Sequence, residues 1–317
     1  MSLLHRVMSE PELEAEPPVL VDVGAAGGMH RAWKALAPYS IGVSFEPDSR
    51  EAPAPGAAQA GFKEWIFCPG LAVPETTSDG QQELYLTRSP QCSSTLKPDV
   101  DSLRDWSFAS FFDVVESRRF PATTVMAALQ ARGIHRIDWL KCDTQGLDLR
   151  LFLSLPDAVK RGLISVEFEP GVIDAYRGED PLAEVLKTMR GHPFWLSELS
   201  VVKSARASAQ LVAGNLGPAL VPWVRRLSPG APGWVNVRFV REVGLEPQAL
   251  DRRSHLLAWA VATVTGQPGY GLKVAAAGGE RYGGELFSDL LRSSAWQLRW
   301  SLLRGLPAFV ARRLIGG

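Results

Sequence analysis

Two apolar runs end in acids that can do proton chemistry. Ile137-Asp138-Trp139-Leu140-Lys141-Cys142-Asp143 reads as a buried strand closed by a carboxylate. Leu163-Ile164-Ser165-Val166-Glu167-Phe168-Glu169 reads as a second, with Glu167 and Glu169 on one face. Open α/β sheets bind ligands at the carboxyl ends of their strands, which is where Asp143 falls. A carboxylate there, lifted toward neutrality by burial or by another acid, can take a proton from a hydroxyl. Asp143 is the first candidate and Glu167 the alternative. Lys141 shares a strand face with Asp143 and can pair with it. Each has a purely structural alternative: Asp143 as a helix cap, Lys141 as a paired surface charge, Glu167 as a solvated strand end. Asp148 suits the first turn of a helix, where the dipole favours an acid. Asp143, Glu167 and Asp148 have no fixed metal-ligand spacing, so no metal is expected.

A ligand for these acids is suggested upstream. Val19-Leu20-Val21-Asp22-Val23 is a short strand, Gly24-Ala25-Ala26-Gly27-Gly28 a turn of small residues, and Met29 to Leu36 reads as a helix. Strand, small-residue turn and helix make half of a nucleotide-binding unit, in which the first helical amides point at the ligand. A second strand, Ile41 to Phe45, ends in Glu46-Pro47, placed for hydrogen bonds to ribose hydroxyls. The pattern is D-x-G-x-x-G rather than the dinucleotide G-x-G-x-x-G. A carboxylate at Asp22 repels a pyrophosphate and suits a cationic ligand such as S-adenosylmethionine, which carries a sulfonium and an ammonium. His30, in the first turn of the helix, has a capping or surface role.

These stretches together resemble the FkbM-type methyltransferases: Val21 to Gly28, Phe45-Glu46-Pro47, and Asp138 to Asp148 with its K-x-D-x-[EQ]-G-x-[ED] element. Gly80 to Thr87 and Cys92 to Leu96 are similar to the variable middle of that family. The resemblance covers about residues 19 to 200. It implies an S-adenosylmethionine-dependent enzyme that O-methylates sugars or other small hydroxylated metabolites. The cofactor is then expected near Asp22, Gly24, Ala25, Ala26, Gly28, Glu46 and Pro47, with Asp143 facing the reacting centre. Asp148 stands where Glu is commoner. The other readings are an inactive methyltransferase-fold scaffold and, disfavoured by Asp22, a nucleotide-dependent oxidoreductase.

The rest of the 317-residue chain must position these groups. Strands alternating with helices over residues 19–205 predict a doubly wound, Rossmann-like parallel sheet. Residues 1–18 read as a helix or loose arm, and 206–317 as a mainly helical C-terminal appendage. Residues 49–60 read as a flexible connection, and a Gly-rich stretch, Gly266 to Gly284, separates the last helical region from those before it. Net charge is zero, which gives no pull toward nucleic acid. Cys68, Cys92 and Cys142 form no C-x-x-C pair, and no apolar segment resembles a leader or a membrane span, so a reducing cytoplasm is expected.

Trp106, Trp223 and Trp234 can stack on a sugar ring or simply pack, while Trp139 and Trp195 read as core. In the last helical region Leu291, Ala295, Leu298 and Leu302 make one apolar stripe. Trp296, Trp300 and Leu303 make a second, flanked by Arg292 and Arg299. One stripe is expected on the core and the other in a homodimer or at a membrane surface.

Overall fold

The computed structural model describes residues 2–25, 30–48, 50, 61–244 and 250–315, with the backbone alone at 307–315. Two short helices, α1 (Leu3–Met8) and α2 (Pro11–Ala15), lead into strands β1 (Val19–Val23), β2 (Ile41–Phe45) and β3 (Glu64–Cys68). A side sheet follows, of β4 (Leu71–Ala72), β5 (Gln81–Thr87) and β6 (Val114–Thr123), with α3 (Val100–Leu103) between the last two. Helix α4 (Val125–Gln130) is capped by the Thr124 hydroxyl, which accepts from Ala127 N at 3.1 Å. The main sheet resumes with β7 (Trp139–Cys142), α5 (Asp148–Ser154), α6 (Asp157–Gly162), β8 (Ser165–Phe168), α7 (Leu182–Met189) and β9 (Phe194–Ser204). Next come α8 (Ala209–Leu216), α9 (Val221–Leu227), β10 (Ala231–Arg241), α10 (Arg252–Val264), α11 (Pro268–Tyr282) and α12 (Gly284–Ile315).

The main sheet has seven strands in the order β3-β2-β1-β7-β8-β10-β9. The first five pair in parallel, and β10 is antiparallel to β8 and β9. This is the expected doubly wound, Rossmann-like α/β sheet. Both faces are covered, as near-continuous apolar strands require. Val21, Leu140, Val166 and Phe239 pack against α4, α5 and α7 on one face. Leu20, Trp139 and Val240 pack against α10 to α12 and the N-terminal helices on the other. Among the described residues no helix is long and apolar enough to cross a membrane.

Four expectations are corrected and a fifth is decided by the packing. The segment after the glycine turn is not a regular α-helix where described: it forms 3₁₀ turns at Arg31–Ala35 and Ala37–Tyr39. Pro38 cannot donate to a continuing helix, and Trp33 is buried beside α10 on the sheet face. Residues 206–317 are not an appendage. They supply β10, which sits inside the main sheet, and α10, whose Arg253 guanidinium donates to Asp138 at 2.7 and 3.0 Å in the buried interior. Asp138 Oδ2 also accepts from Val19 N at 2.9 Å, so this ion pair ties α10 to the starts of β1 and β7.

The glycine-rich stretch before residue 284 is the helix α11, not a linker. A Cβ at Gly278 would overlap the Phe287 ring, so the missing side chain lets α12 close on α11. In α12 the core-facing residues are Phe287, Leu290 and Ser294, while Leu291, Trp296, Trp300, Leu302 and Leu303 are exposed. The expected core stripe through Leu291 therefore faces solvent at both its ends, and the exposed side chains surround the helix. The N-terminal arm is not loose: Val7, Met8 and Leu13 are fully buried.

Candidate active site

A cavity of about 660 Å³ opens at the carboxyl ends of β1, β2, β7 and β8. That is within the range of small-molecule sites, roughly 300–1,000 Å³. Gly24 marks the end of β1, and Glu46 and Pro47 the end of β2; Asp143 to Leu147 follow β7, and Glu169 follows β8. The Ser89 to Ser93 loop and Phe108, Phe111, Phe112, Tyr176 and Trp234 complete the wall.

Gly24 has φ +81°, and a Cβ there would overlap the Asp143 carbonyl oxygen. The turn and the end of β7 therefore touch through backbone alone. Gly24 N and Ala25 N both donate to the Phe45 carbonyl, at 3.1 and 3.3 Å, and Asp143 N donates to the Val23 carbonyl at 2.9 Å. Ala25 is buried. Ala26 and Gly28 lie outside the described residues. Glu46 is buried, and its Oε1 accepts from Asp48 N at 2.8 Å, which sets the turn after β2. Asp48 in turn holds Arg50 at 2.5 Å, and Arg50 reaches the Thr87 carbonyl at 3.1 Å.

Asp143 is oriented by its own loop. Gln145 Nε2 donates to Asp143 Oδ1 at 2.6 Å, and Gln145 adopts φ +58°, rare for a residue with a side chain. Its carbonyl accepts from Ser94 Oγ at 2.7 Å, and its Oε1 lies 3.0 Å from the Tyr176 hydroxyl. These contacts hold the unusual backbone in place. Asp148, buried at the start of α5, accepts from Thr144 N and Thr144 Oγ1 at 2.8 and 2.7 Å and from Glu169 N at 2.8 Å. It stitches the tips of β7 and β8 together.

The acid that meets Asp143 is Glu169. Both line the cavity, and burial together with the Asp143 charge raises the Glu169 pKa well above the carboxylate range. Glu169 therefore keeps a proton at neutral pH. A third acid, Glu179, also lines the cavity and is pushed up to about 7, chiefly by burial. Its Oε1 accepts from Ala175 N and, at 3.3 Å, from Tyr176 N.

Three expected site residues lie elsewhere. Asp22 does not line the cavity; it is only 2% exposed and pairs with Lys141 Nζ at 2.8 Å. Burial outweighs that attraction and pushes Asp22 up to about 6, while the surrounding acids raise Lys141. Lys141 thus pairs with Asp22 rather than Asp143. Glu167 is committed to Arg238 at 3.0 Å, to the Trp139 indole N–H at 2.8 Å and to His30 Nε2 at 3.4 Å. His30 is accordingly no surface residue: it packs on Trp33 and Trp139, and burial lowers its pKa. The strand register aligns Asp22, Lys141, Glu167, Arg238 and Glu198 in one row across the sheet. Arg238 pairs with Glu198 as well.

Gln145, Tyr176 and Glu179 are cavity residues to which sequence reasoning gave no role, and Glu169, read there as sharing a strand face with Glu167, is the one of the two acids that lines the cavity. Gln145 was visible inside the K-x-D-x-[EQ]-G-x-[ED] element. Of the three tryptophans considered for stacking, Trp234 lines the cavity, Trp106 is buried behind it and Trp223 is exposed. Among the described residues no group of three or more His, Cys, Asp or Glu is set out to hold a metal ion. No known protein family, curated protein or solved structure matched the chain.

Proposed function

We propose that the chain is an S-adenosylmethionine-dependent methyltransferase acting on a hydroxyl of a small acceptor, with a sugar-containing metabolite as the leading class. One observation carries the reading: one cavity joins Glu46, at the end of β2, to the carboxyls of Asp143 and Glu169. The cavity acids suit a cationic ligand, and Gly24 lets that ligand approach the backbone closely. The reversed β10 departs from the all-parallel order of dinucleotide folds and fits the methyltransferase fold that the resemblance implies.

Gly24, Glu46, Pro47 and Asp143 would hold the cofactor, which when bound supplies a methyl group already activated by its sulfonium. The chain's own residues then have three tasks. The aromatic wall of Phe111, Phe112 and Trp234 excludes water and gives a sugar ring a stacking face. Gln145 and Asp148 fix the loop so that Asp143 cannot turn away. Asp143 accepts the proton of the acceptor hydroxyl, and Glu169, raised by burial, holds its own. Holding the reactants in line contributes a large share of the rate.

Calorimetry with S-adenosylhomocysteine tests the cofactor. Glu46→Gln keeps the acceptor for Asp48 N and loses the charge; Glu46→Ala loses both. Each charge-assisted hydrogen bond removed costs about 1.5–3 kcal/mol, so Glu46→Ala is expected to bind roughly 10- to 150-fold more weakly. Unchanged affinity in Glu46→Ala, or wild type binding a nicotinamide dinucleotide and not S-adenosylhomocysteine, sinks the reading.

A further inference from the structure

The excursion between β9 and β10 is made of side chains that a water-soluble surface does not explain. It comprises α8, a 3₁₀ turn at Pro218–Leu220, and α9. Of its large apolar residues Leu211 is 65% exposed, Leu216 58%, Leu220 44%, Trp223 56% and Leu227 75%. Within residues 209–227 only Val212 is buried. The flap is nonetheless seated on the cavity: Arg225 lines it and lies over the Phe111 ring, 4.7 Å from its centre.

The flap's own charge has one sign, the nearest acids being Asp105, paired with Arg206, and Asp113 beside the start of α8. Between Leu199 and Arg241 the chain has no aspartate or glutamate, while Arg225 and Arg226 sit among the exposed apolar side chains. An isologous contact with a second copy would set these arginines against their own images with no acid of the flap to offset them. An exposed tryptophan and leucines interleaved with arginines instead suit the boundary between headgroups and acyl chains. We propose that the α8–α9 flap docks this protein on an anionic lipid surface, with the cavity mouth next to the bilayer.

Flotation of the full chain with vesicles of equal parts phosphatidylglycerol and phosphatidylcholine, against phosphatidylcholine alone, tests this without any need for catalysis or cofactor. Wild type is expected to float with the anionic vesicles and to be released as salt screens the arginines. A Trp223→Ser, Leu227→Ser double variant, whose side chains contribute nothing to the core, should lose about tenfold or more of the bound fraction. Arg226→Glu should lose several-fold. Circular dichroism of each variant should match wild type, and that readout separates lost docking from lost fold. A parallel Leu302→Ser, Leu303→Ser variant marks the other exposed apolar element, on α12. Failure of wild type to float, or binding lost only with the α12 variant, overturns the proposal. So does a wild-type dimer in sedimentation that the flap variant dissolves while lipid binding is absent.

Discussion

Two sets of residues stand two positions apart along the same three chain segments. Asp22, Lys141 and Glu167 belong to the row within the sheet; Gly24, Asp143 and Glu169 belong to the strand tips. The inner row alternates in sign through Arg238 to Glu198, and neighbours in it pair at Asp22–Lys141, Glu167–Arg238 and Arg238–Glu198. The tips bring acid to acid, and Lys141 exerts only the weakest of the influences on Glu169. The residue types are nearly the same in both sets. What differs is whether a cation stands in the row. Where it does, the charges brace the sheet; where it does not, burial and repulsion keep a proton on Glu169 and leave Asp143 as the first candidate base.

The largest effect should come from discharging the tips. Loss of a general base lowers turnover by about 10²–10⁴. Asp143→Asn and Glu169→Gln are therefore expected to bind S-adenosylhomocysteine within a few-fold of wild type while methyl transfer from labelled cofactor falls by that factor. Asp143→Asn also removes a like charge from Glu169, so its melting temperature should not fall. If only one variant loses turnover, that residue is the base. If neither does, the pair plays no part in proton transfer. If cofactor affinity collapses in Asp143→Asn while turnover at saturation survives, Asp143 is a cofactor ligand and Glu169 remains the candidate.

The inner row should respond in stability instead. Lys141→Met leaves Asp22 buried without its partner, and breaking a buried pair typically costs about 3–5 kcal/mol. Asp22 is already pushed up to about 6, so at pH 5 it can escape the penalty by taking a proton. Urea unfolding should show the loss in full at pH 8 and a smaller loss at pH 5. Equal losses at the two pH values would mean that the lysine stem, and not its charge, supports the fold.

The sheet was legible because its strands are apolar runs bounded by turn residues. Val19–Val23, Ile41–Phe45 and the runs around Leu140 and Val166 all fall in it. Asp143 and Glu46 were legible as site candidates because strand ends are where such sheets bind, and both line the cavity. Alternation puts Glu167 and Glu169 on one face and does not tell which of them reaches the cavity. β8 ends at Phe168, so Glu169 lies past the strand, where it lines the cavity. The cation partners were not legible for another reason. Lys141 lies two residues from Asp143 in sequence, but register sets it beside Asp22, and pairings across strands leave no local trace. Pattern alone also misread α11, where glycines that look like a linker are sites of close helix contact.

The smallest effect concerns Glu179, the third acid of the cavity. No cation figures among the influences on it, and burial pushes it up to about 7 from an ordinary value of 4.5. A carboxyl that binds its proton more tightly folded than unfolded gives ν_N greater than ν_U, so its contribution to stability is complete below about pH 4.5 and is lost as pH rises through about 7. Asp22, Asp148 and Glu169 are all raised and push in the same direction. Glu179→Gln keeps a carbonyl oxygen to accept from Ala175 N and Tyr176 N but cannot titrate. Melting temperatures taken from pH 5 to pH 8 should therefore decline for wild type and decline less steeply for Glu179→Gln, with the two curves separating most between pH 5 and 7. Parallel curves would mean that Glu179 is ionised throughout. A cation outside the described residues would then have to face it, and the contrast between a paired inner row and unpaired tips would narrow to Asp143 and Glu169 alone.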